Sequence, residues 1–524
     1  MTITSSPASR ALVDPSDRLD PAQPGGPWWM YRRPLVAAAP ASLPHATTPS
    51  SPDVEVEALR AVSDLRPKRT PPDVHLPSGA AGGFLIAIMV VGVVIGTRGL
   101  GQDHLGVVVF PAAGIVAAVS FGRRCRRLRP DEPWLPRLIL FGTIVKIGAC
   151  AARYISLTRV YNNIGDAFIY DREGRELVEF WTGQRSVSPA EGLALRSSGL
   201  VRWLTGVVYY LFGQDLLAAF FLFGLLAVMG SYFWYRALVD AVPYVDRRLF
   251  LLFVLFVPSI VFWPGSLGKE ALMQVALGAM AWATSLVFRS RFAQAAPLAL
   301  CGGGLLYLIR PHLLALATVA AAVPYFVGRV RGDGVRWFQA RPVGMLILGL
   351  LVVFTVTVGT KYVGLESLSI SSVEEQLDEQ TAATSEGGSK FAHRGNSITS
   401  PLFLPMGFVT VLLRPFPWEV TSAFQLFAAL ESSALIWLLF RRSASVRLAV
   451  RRCRQEPFLL YCIMLLVFYS ATFSSLANFG LLTRQRSLVL PAIYALIALA
   501  PALVSLRSHD GAAVEVVGSA RRDQ

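Results

Sequence analysis

The chain has 524 residues, 53% of them hydrophobic and only 16% charged, where a soluble domain carries about a quarter charged residues. That composition excludes an ordinary soluble enzyme. Repeated apolar runs of roughly 17 to 22 residues read as transmembrane helices. The net charge of +15 does not mark a nucleic-acid binder, because the positive residues sit in short loops between apolar runs, where membrane topology demands them.

Residues 1–79 are rich in Pro, Ser, Ala and Asp and bury too little apolar surface to offset ordering, so a disordered tail is expected. The start lacks a basic stretch followed by an apolar one, so no cleaved leader is expected. Apolar runs at 82–98 and 104–121 form a hairpin that ends in FGRRCRRLRP, with Arg123, Arg124, Arg126, Arg127 and Arg129. Such a cluster is held on the cytoplasmic side. A third helix, 136–156, then delivers the polar stretch 161–181, YNNIGDAFIYDREGRELVEFW, to the outside.

The apolar but short 198–213, with Arg202 inside it, is expected to lie on the outer surface as an amphipathic helix. Spans follow at 215–237, 249–264, 270–288, 292–309, 312–328 and 342–360, and then at 420–440, 457–477 and 487–506. The segment 401–419 is too broken by proline for a simple span. RRSASVRLAVRRCR (441–454) is the strongest cytoplasmic signal in the chain. The expected fold is an all-α integral membrane protein of about twelve spans. Its membrane domain covers 80–506, with large outer loops at 157–199 and 361–419. Both termini are placed in the cytoplasm, the C-terminal tail being 507–524, and the protein itself in the plasma membrane.

Charges kept at the outer ends of apolar helices are the candidate site. Asp166 is either a general base or the cap of a helix over 167–181, since carboxylates suit both. Glu173, Glu176 and Glu179 are expected to pair with Arg172 and Arg175 on a solvated helix face. Lys269, Arg310, Arg414, Arg484 and Arg486 are candidate anion-binding cations, because ionisable groups near membrane depth are costly and usually functional. Snorkelling to lipid headgroups is the competing account. Lys269 and Glu270 also admit a mutual ion pair. Tyr170, Glu270, Trp263 and Trp418 suit contacts with a sugar or acceptor, although interfacial aromatic belts use the same aromatic residue types. The five cysteines and six histidines show no metal-ligand spacing.

The order of these segments resembles the GT-C class of membrane glycosyltransferases, which includes protein mannosyltransferases and aminoarabinose transferases. The similarity covers about 150–330. It lies in the early outer loop with GDAFIY, the following LVRWLTGVVYYLFGQDLLAAFF run, and VPSIVFWPGSLGKEALM, a proline-containing span that closes on an acidic residue. In two respects the chain departs from that pattern: the carboxylate loop follows a third helix rather than a first, and Ala167 stands where a second acid is usual. RPFPWE and NFGLLTRQR look more like polysaccharide polymerases of the O-antigen type. The resemblance implies transfer of a sugar from a polyprenyl-phosphate donor to a glycan, lipid or protein acceptor. Asp166 would be the base and the outer cations would hold the phosphate, with no cofactor beyond the lipid-linked sugar. Polymerisation of lipid-linked repeats and transport of a lipid-linked sugar are the alternatives, although no internal repeat favours transport. Donor sugar, acceptor and oligomeric state are not legible.

Overall fold

The structure is a computed structural model that describes residues 105–189, 195–327, 334–363, 381, 391 and 401–501. All of these belong to one unit, His75–Gln524. The expected helix at 82–98, both tails and most of 361–400 lie outside the described residues. Among the described residues the chain is helical, without strands; one isolated bridge joins Val245 to Leu499.

Helices α1 (Leu105–Leu128) and α2 (Leu135–Ile155) form the first antiparallel pair. The arginine cluster expected in the loop instead sits on the last turns of α1. Two amphipathic helices, α3 (Asp166–Trp181) and α4 (Ser198–Phe212), pack on each other. The centre is made by α5 (Leu216–Ala241) and α8 (Lys269–Val287). Asp215 starts α5 by accepting a hydrogen bond from Ala218 N at 3.1 Å, a standard N-cap. Small residues let these two helices touch: a Cβ on Gly230 would lie 2.5 Å from the Gln274 carbonyl oxygen, and one on Gly278 would collide with the Gly230 carbonyl. Gln274 Nε2 donates to Ser231 Oγ across the same contact at 2.8 Å.

The expected span at 249–264 is instead two pieces, α6 (Arg247–Phe256) and α7 (Pro258–Phe262). The residue before a proline leaves the helical region, and Val257 does so at φ −63°, ψ 126°. The C-terminal carbonyls of α7 are satisfied by a buried cation: Lys146 Nζ donates to Ile260 O at 3.0 Å and Val261 O at 2.8 Å. Next come α9 (Phe292–Ile309), α10 (Pro311–Val327) and α11 (Gly334–Val363). The C-terminal part holds α12 (Leu404–Leu413), α13 (Ala423–Arg441), α14 (Ser443–Arg452) and α15 (Pro457–Phe473). It closes with α16 (Phe479–Arg486) and α17 (Leu490–Ile497). Here too the expectation is corrected. The NFGLLTRQR segment is the helix α16, not a loop, because Asn478 caps it through Gly480 N at 2.9 Å. The helix expected over 487–506 reaches only Ile497.

Among the described residues seven helices are long and apolar enough to cross a membrane, or eight if α14 and α15, bent by 108°, count as one. The fuller count of about twelve is not reached among the described residues. Apolar side chains such as Val108, Leu300 and Phe440 are more than two-thirds exposed, as they would be against lipid rather than water.

The polar ends of the bundle are distinct. At one end Glu132 accepts from Arg247 Nη1 at 2.6 Å, from the Tyr235 hydroxyl at 3.0 Å and from Arg129 at 3.2 Å. Burial alone would raise the Glu132 pKa, but Arg129, Arg247 and Tyr235 bring it below the usual carboxylate value. Asp240 there binds Arg236 at 2.9 Å and Trp282 Nε1 at 3.1 Å. Arg289, just past the end of α8, donates to the Asp240 carbonyl at 2.6 Å. The other end of α8 carries Lys269 and Glu270. Its 19 residues separate the two ends by about 28 Å at 1.5 Å per residue, close to the ~30 Å of a hydrocarbon core.

Replacing Lys146 by methionine keeps the apolar stem but strands the Ile260 and Val261 carbonyls. Each unsatisfied buried group costs about 1–3 kcal/mol, so Lys146→Met should lower the unfolding midpoint of the detergent-purified protein. An unchanged midpoint would mean that Lys146 does not hold the α6–α7 break.

Candidate functional site

The second polar end gathers residues from four distant parts of the chain. Asp166 opens α3, where Gly165 stands at the cap position and the first turn holds the acid. Its carboxylate makes no side-chain capping bond; Oδ2 instead accepts from Arg484 Nη2 at 2.9 Å. Glu270, in the first turn of α8, accepts from the same arginine, Nη2 to Oε2 at 2.8 Å and Nε to Oε1 at 2.7 Å. Arg310, at the proline break between α9 and α10, reaches Glu270 Oε1 at 3.3 Å and also donates to Gln485. Arg484 therefore bridges two carboxylates, and Glu270 bridges two guanidinium groups.

The two acids differ in environment. The Asp166 side chain is 51% exposed and that of Glu270 only 3%. Glu270 is locked between two arginines, whereas Asp166 keeps one face open to an incoming group. Burial works against the charge on Arg484, but Glu270 and Asp166 more than offset it, so its pKa lies above that of a free guanidinium.

The other sequence candidates divide clearly. Lys269 donates to Ser197 Oγ at 3.1 Å and does not pair with Glu270. Tyr170 is buried beneath Asp166 on α3, and that burial raises its phenol pKa. Trp263 follows α7 with its ring under Arg153. Arg414 is held by Glu419, Nε to Oε1 at 2.9 Å, with its guanidinium carbon 4.2 Å from the Phe391 ring centre. Arg486 is fully buried and donates to Arg414 O at 2.9 Å and Ser432 Oγ at 2.8 Å, with Glu431 at 3.5 Å. Those contacts make it a clamp on the frayed end of α12 rather than a surface cation. Trp418 is 79% exposed on the turn after Arg414 and stacks on Phe416. The α3 acids expected to pair with Arg172 and Arg175 find other partners. Glu173 meets Arg202 of α4 and Glu176 meets Arg185 at 3.0 Å, while Arg175 binds Asp171 at 3.1 Å.

Beside this cluster lies a cleft of about 340 Å³. It is mostly aromatic and apolar, with Tyr161, Phe262, Trp263, Phe424 and Phe479 in its walls. Glu431 also lines it, engaged by Ser259 N at 2.7 Å and by Arg486. Arg153 was missed by sequence reading because it sits inside an apolar run; the aromatic pair Phe262-Trp263 just before PGSLGKE was its available signal. No group of three His, Cys, Asp or Glu residues suited to a metal occurs among the described residues.

The fold and site together define a helical membrane-type protein with a paired ionic centre and an aromatic cleft at one end. No protein-family model, curated protein or solved structure matches the chain.

Removing one member of a buried ion pair leaves an uncompensated charge and costs about 3–5 kcal/mol. Glu270→Gln and Arg484→Gln should each destabilise the protein on that scale, and the double variant by less than the sum, with a coupling of about 0.5–3 kcal/mol. Additive losses in a double-mutant cycle of unfolding would show that the two side chains do not depend on each other.

Proposed function

We propose that this protein is a membrane glycosyltransferase that moves a sugar from a polyprenyl-phosphate donor to a glycan, lipid or protein acceptor at the outer face of the plasma membrane. The observation that carries the reading is a half-exposed carboxylate, Asp166, fixed by Arg484 beside an aromatic cleft. This cluster lies opposite the end that holds Arg129, Arg247 and the last turns of α1. Arginine-rich ends stay cytoplasmic, which supports a reading with Asp166 on the outer side, and both termini are proposed to lie inside.

In this reading the acceptor hydroxyl gives its proton to Asp166 as its oxygen attacks the anomeric carbon. The bond from that carbon to the phosphate oxygen breaks, and the electron pair leaves with the polyprenyl phosphate. Cations aimed at the leaving oxygen favour that charge. Arg484 and Arg310 hold the centre rigid through Glu270, and Lys269, hydrogen-bonded to Ser197 Oγ, supplies a further positive charge. Tyr170 supports Asp166 from below, and Trp263 offers a ring for sugar or acceptor contact.

A second reading, polymerisation of lipid-linked repeat units, is favoured by one feature: the partner of Asp166 comes from the NFGLLTRQR segment, whose likeness is to polymerases. Product length separates the two, since a transferase adds one unit and a polymerase extends chains.

A strain lacking the protein should lose a defined glycan or accumulate its lipid-linked precursor. Asp166→Asn should insert normally while transfer falls by about 100-fold or more, the scale of a lost general base. Near-normal turnover by well-expressed Asp166→Asn protein would remove the base. Single cysteines at 161–165 should react with an impermeant thiol reagent in intact cells, and those at 443–452 should not. The opposite pattern would invert the topology.

A further inference from the structure

Between the apolar helices α13 and α15 lies the short α14, whose sequence SASVRLAVRR carries no acid. Only Arg442 separates it from α13, which is long and apolar enough to span a membrane, so α14 starts where that helix leaves the hydrocarbon. Its axis is bent by 108° from that of α15, which lays it across the bundle rather than along it. One face is fixed to the protein. Ser445 and Ala449 are buried, and Ser445 Oγ donates to the Leu499 carbonyl at 2.8 Å. Leu499 bridges to Val245, and the adjoining Asp246 N donates to Ala498 O at 2.8 Å. Those contacts tie α14 to the end of the molecule where Arg247 meets Glu132.

The opposite face is basic. Arg447 and Arg451 stand two positions after Ser445 and Ala449, about 200° around a helix. Both are exposed, as is Arg454 on the turn that follows. The ion pairs at this end use Arg129, Arg236 and Arg247. Among the described residues Arg447, Arg451 and Arg454 enter none, and Arg447 makes a 3.5 Å contact with Ser443 Oγ. Exposed Arg441 and the α1 residues Arg123, Arg124, Arg126 and Arg127 add charge at the same end, against the exposed acid Asp131. Apolar groups flank the arginines: Val450 is 56% exposed and Phe440, on the last turn of α13, 83%. Guanidinium groups beside exposed apolar side chains, at the mouth of a span, are the pattern of a helix lying in the interface. An acidic protein partner would account for the arginines but not for the apolar flank. Insertion of α14 as part of a span would carry the same charges into hydrocarbon at high cost.

We propose that α14 is an interfacial helix that binds the phosphates of anionic phospholipids through Arg447, Arg451 and Arg454, in the leaflet at the Glu132 end of the bundle. Guanidinium grips two phosphate oxygens from one edge, and attraction to an anionic leaflet adds to it for each basic residue. Nothing in this surface depends on the transfer chemistry proposed above.

The test compares phosphatidylglycerol and phosphatidylcholine of matched acyl chains, retained by the detergent-purified full chain in native mass spectrometry, with glycerol phosphate as the soluble control. Wild type should retain phosphatidylglycerol over phosphatidylcholine by roughly 10- to 100-fold, from about fivefold per basic residue near an anionic lipid. Arg447→Gln, Arg451→Gln and Arg454→Gln combined should bring the two lipids close to parity with an unchanged unfolding midpoint, since these side chains are exposed. The matching triple lysine variant should keep part of the preference. Combined glutamine substitution of Arg123, Arg124, Arg126 and Arg127 should keep most of it. Full preference in the α14 glutamine variant, or none in wild type, overturns the proposal. An equal loss in the α1 variant overturns it too, because the preference would then come from a diffuse field. Displacement of phosphatidylglycerol by glycerol phosphate at equal concentration overturns the lipid part. Tight binding of polyglutamate without a lipid preference would instead make α14 a protein-docking helix. If the triple glutamine variant fails to fold, Arg451→Gln alone should lose about fivefold in preference, and an unchanged preference there overturns the proposal equally.

Discussion

The guanidinium of Arg484 lies between Asp166 and Glu270, and the architecture at that end of the molecule follows from the need to satisfy it. An arginine within a largely apolar fold cannot stay unpaired without a cost of several kcal/mol. Asp166 comes from the start of α3, Glu270 from the start of α8 and Arg484 from α16, so one side chain fixes three helix ends. Arg310 adds the α9–α10 break through Glu270. Acids in the first turns of α3 and α8 also sit at the positive ends of those helix dipoles. Each carboxylate is therefore placed by its helix and by its arginine at once.

The same economy governs the broken helices. A proline break exposes carbonyls that have no water to turn to, and at two of the breaks in this chain a cation from elsewhere takes them. Lys146 takes the end of α7, and Arg486 takes the end of α12. These two cations are structural for the same reason that Arg484 is suited to chemistry. The difference lies in what remains free: Arg486 has its donors turned to carbonyls and Ser432, whereas Arg484 points at a half-exposed acid.

Much of this was legible in the sequence. The apolar runs behind α1, α2, α5, α8, α9 and α13 appear as helices near their expected positions, because length and hydrophobicity are local properties. The failures are local too. Val257-Pro258 and the Asn478 cap are short-range backbone effects that a search for long apolar runs overlooks. Among charges, Asp166, Lys269, Glu270, Arg310 and Arg484 stood out because they interrupt apolar surroundings at helix ends. Their pairing was not legible, since Asp166 and Arg484 are 318 positions apart. Sequence proximity in fact misled at Lys269-Glu270 and along α3, where geometry sends Glu173 and Glu176 to the more distant Arg202 and Arg185.

Arg153 shows where such reading stops. An arginine one turn inside an apolar helix resembles a snorkelling residue, and only the chain fold reveals whether headgroups are within its reach. Here Phe262 and Trp263, delivered by the broken α7, pack on the guanidinium with their ring centres 4.9 and 4.8 Å from its carbon. Those rings sit where they do because Lys146, two turns earlier on α2, holds the Ile260 and Val261 carbonyls. The break at Pro258, the buried lysine and the arginine under the aromatic pair are thus linked through α2 and α7. The lysine sets the depth of α7, and that depth decides where the aromatic pair meets Arg153. A straight helix in place of α6 and α7 would carry the aromatic pair past Arg153 and leave its guanidinium without those ring contacts.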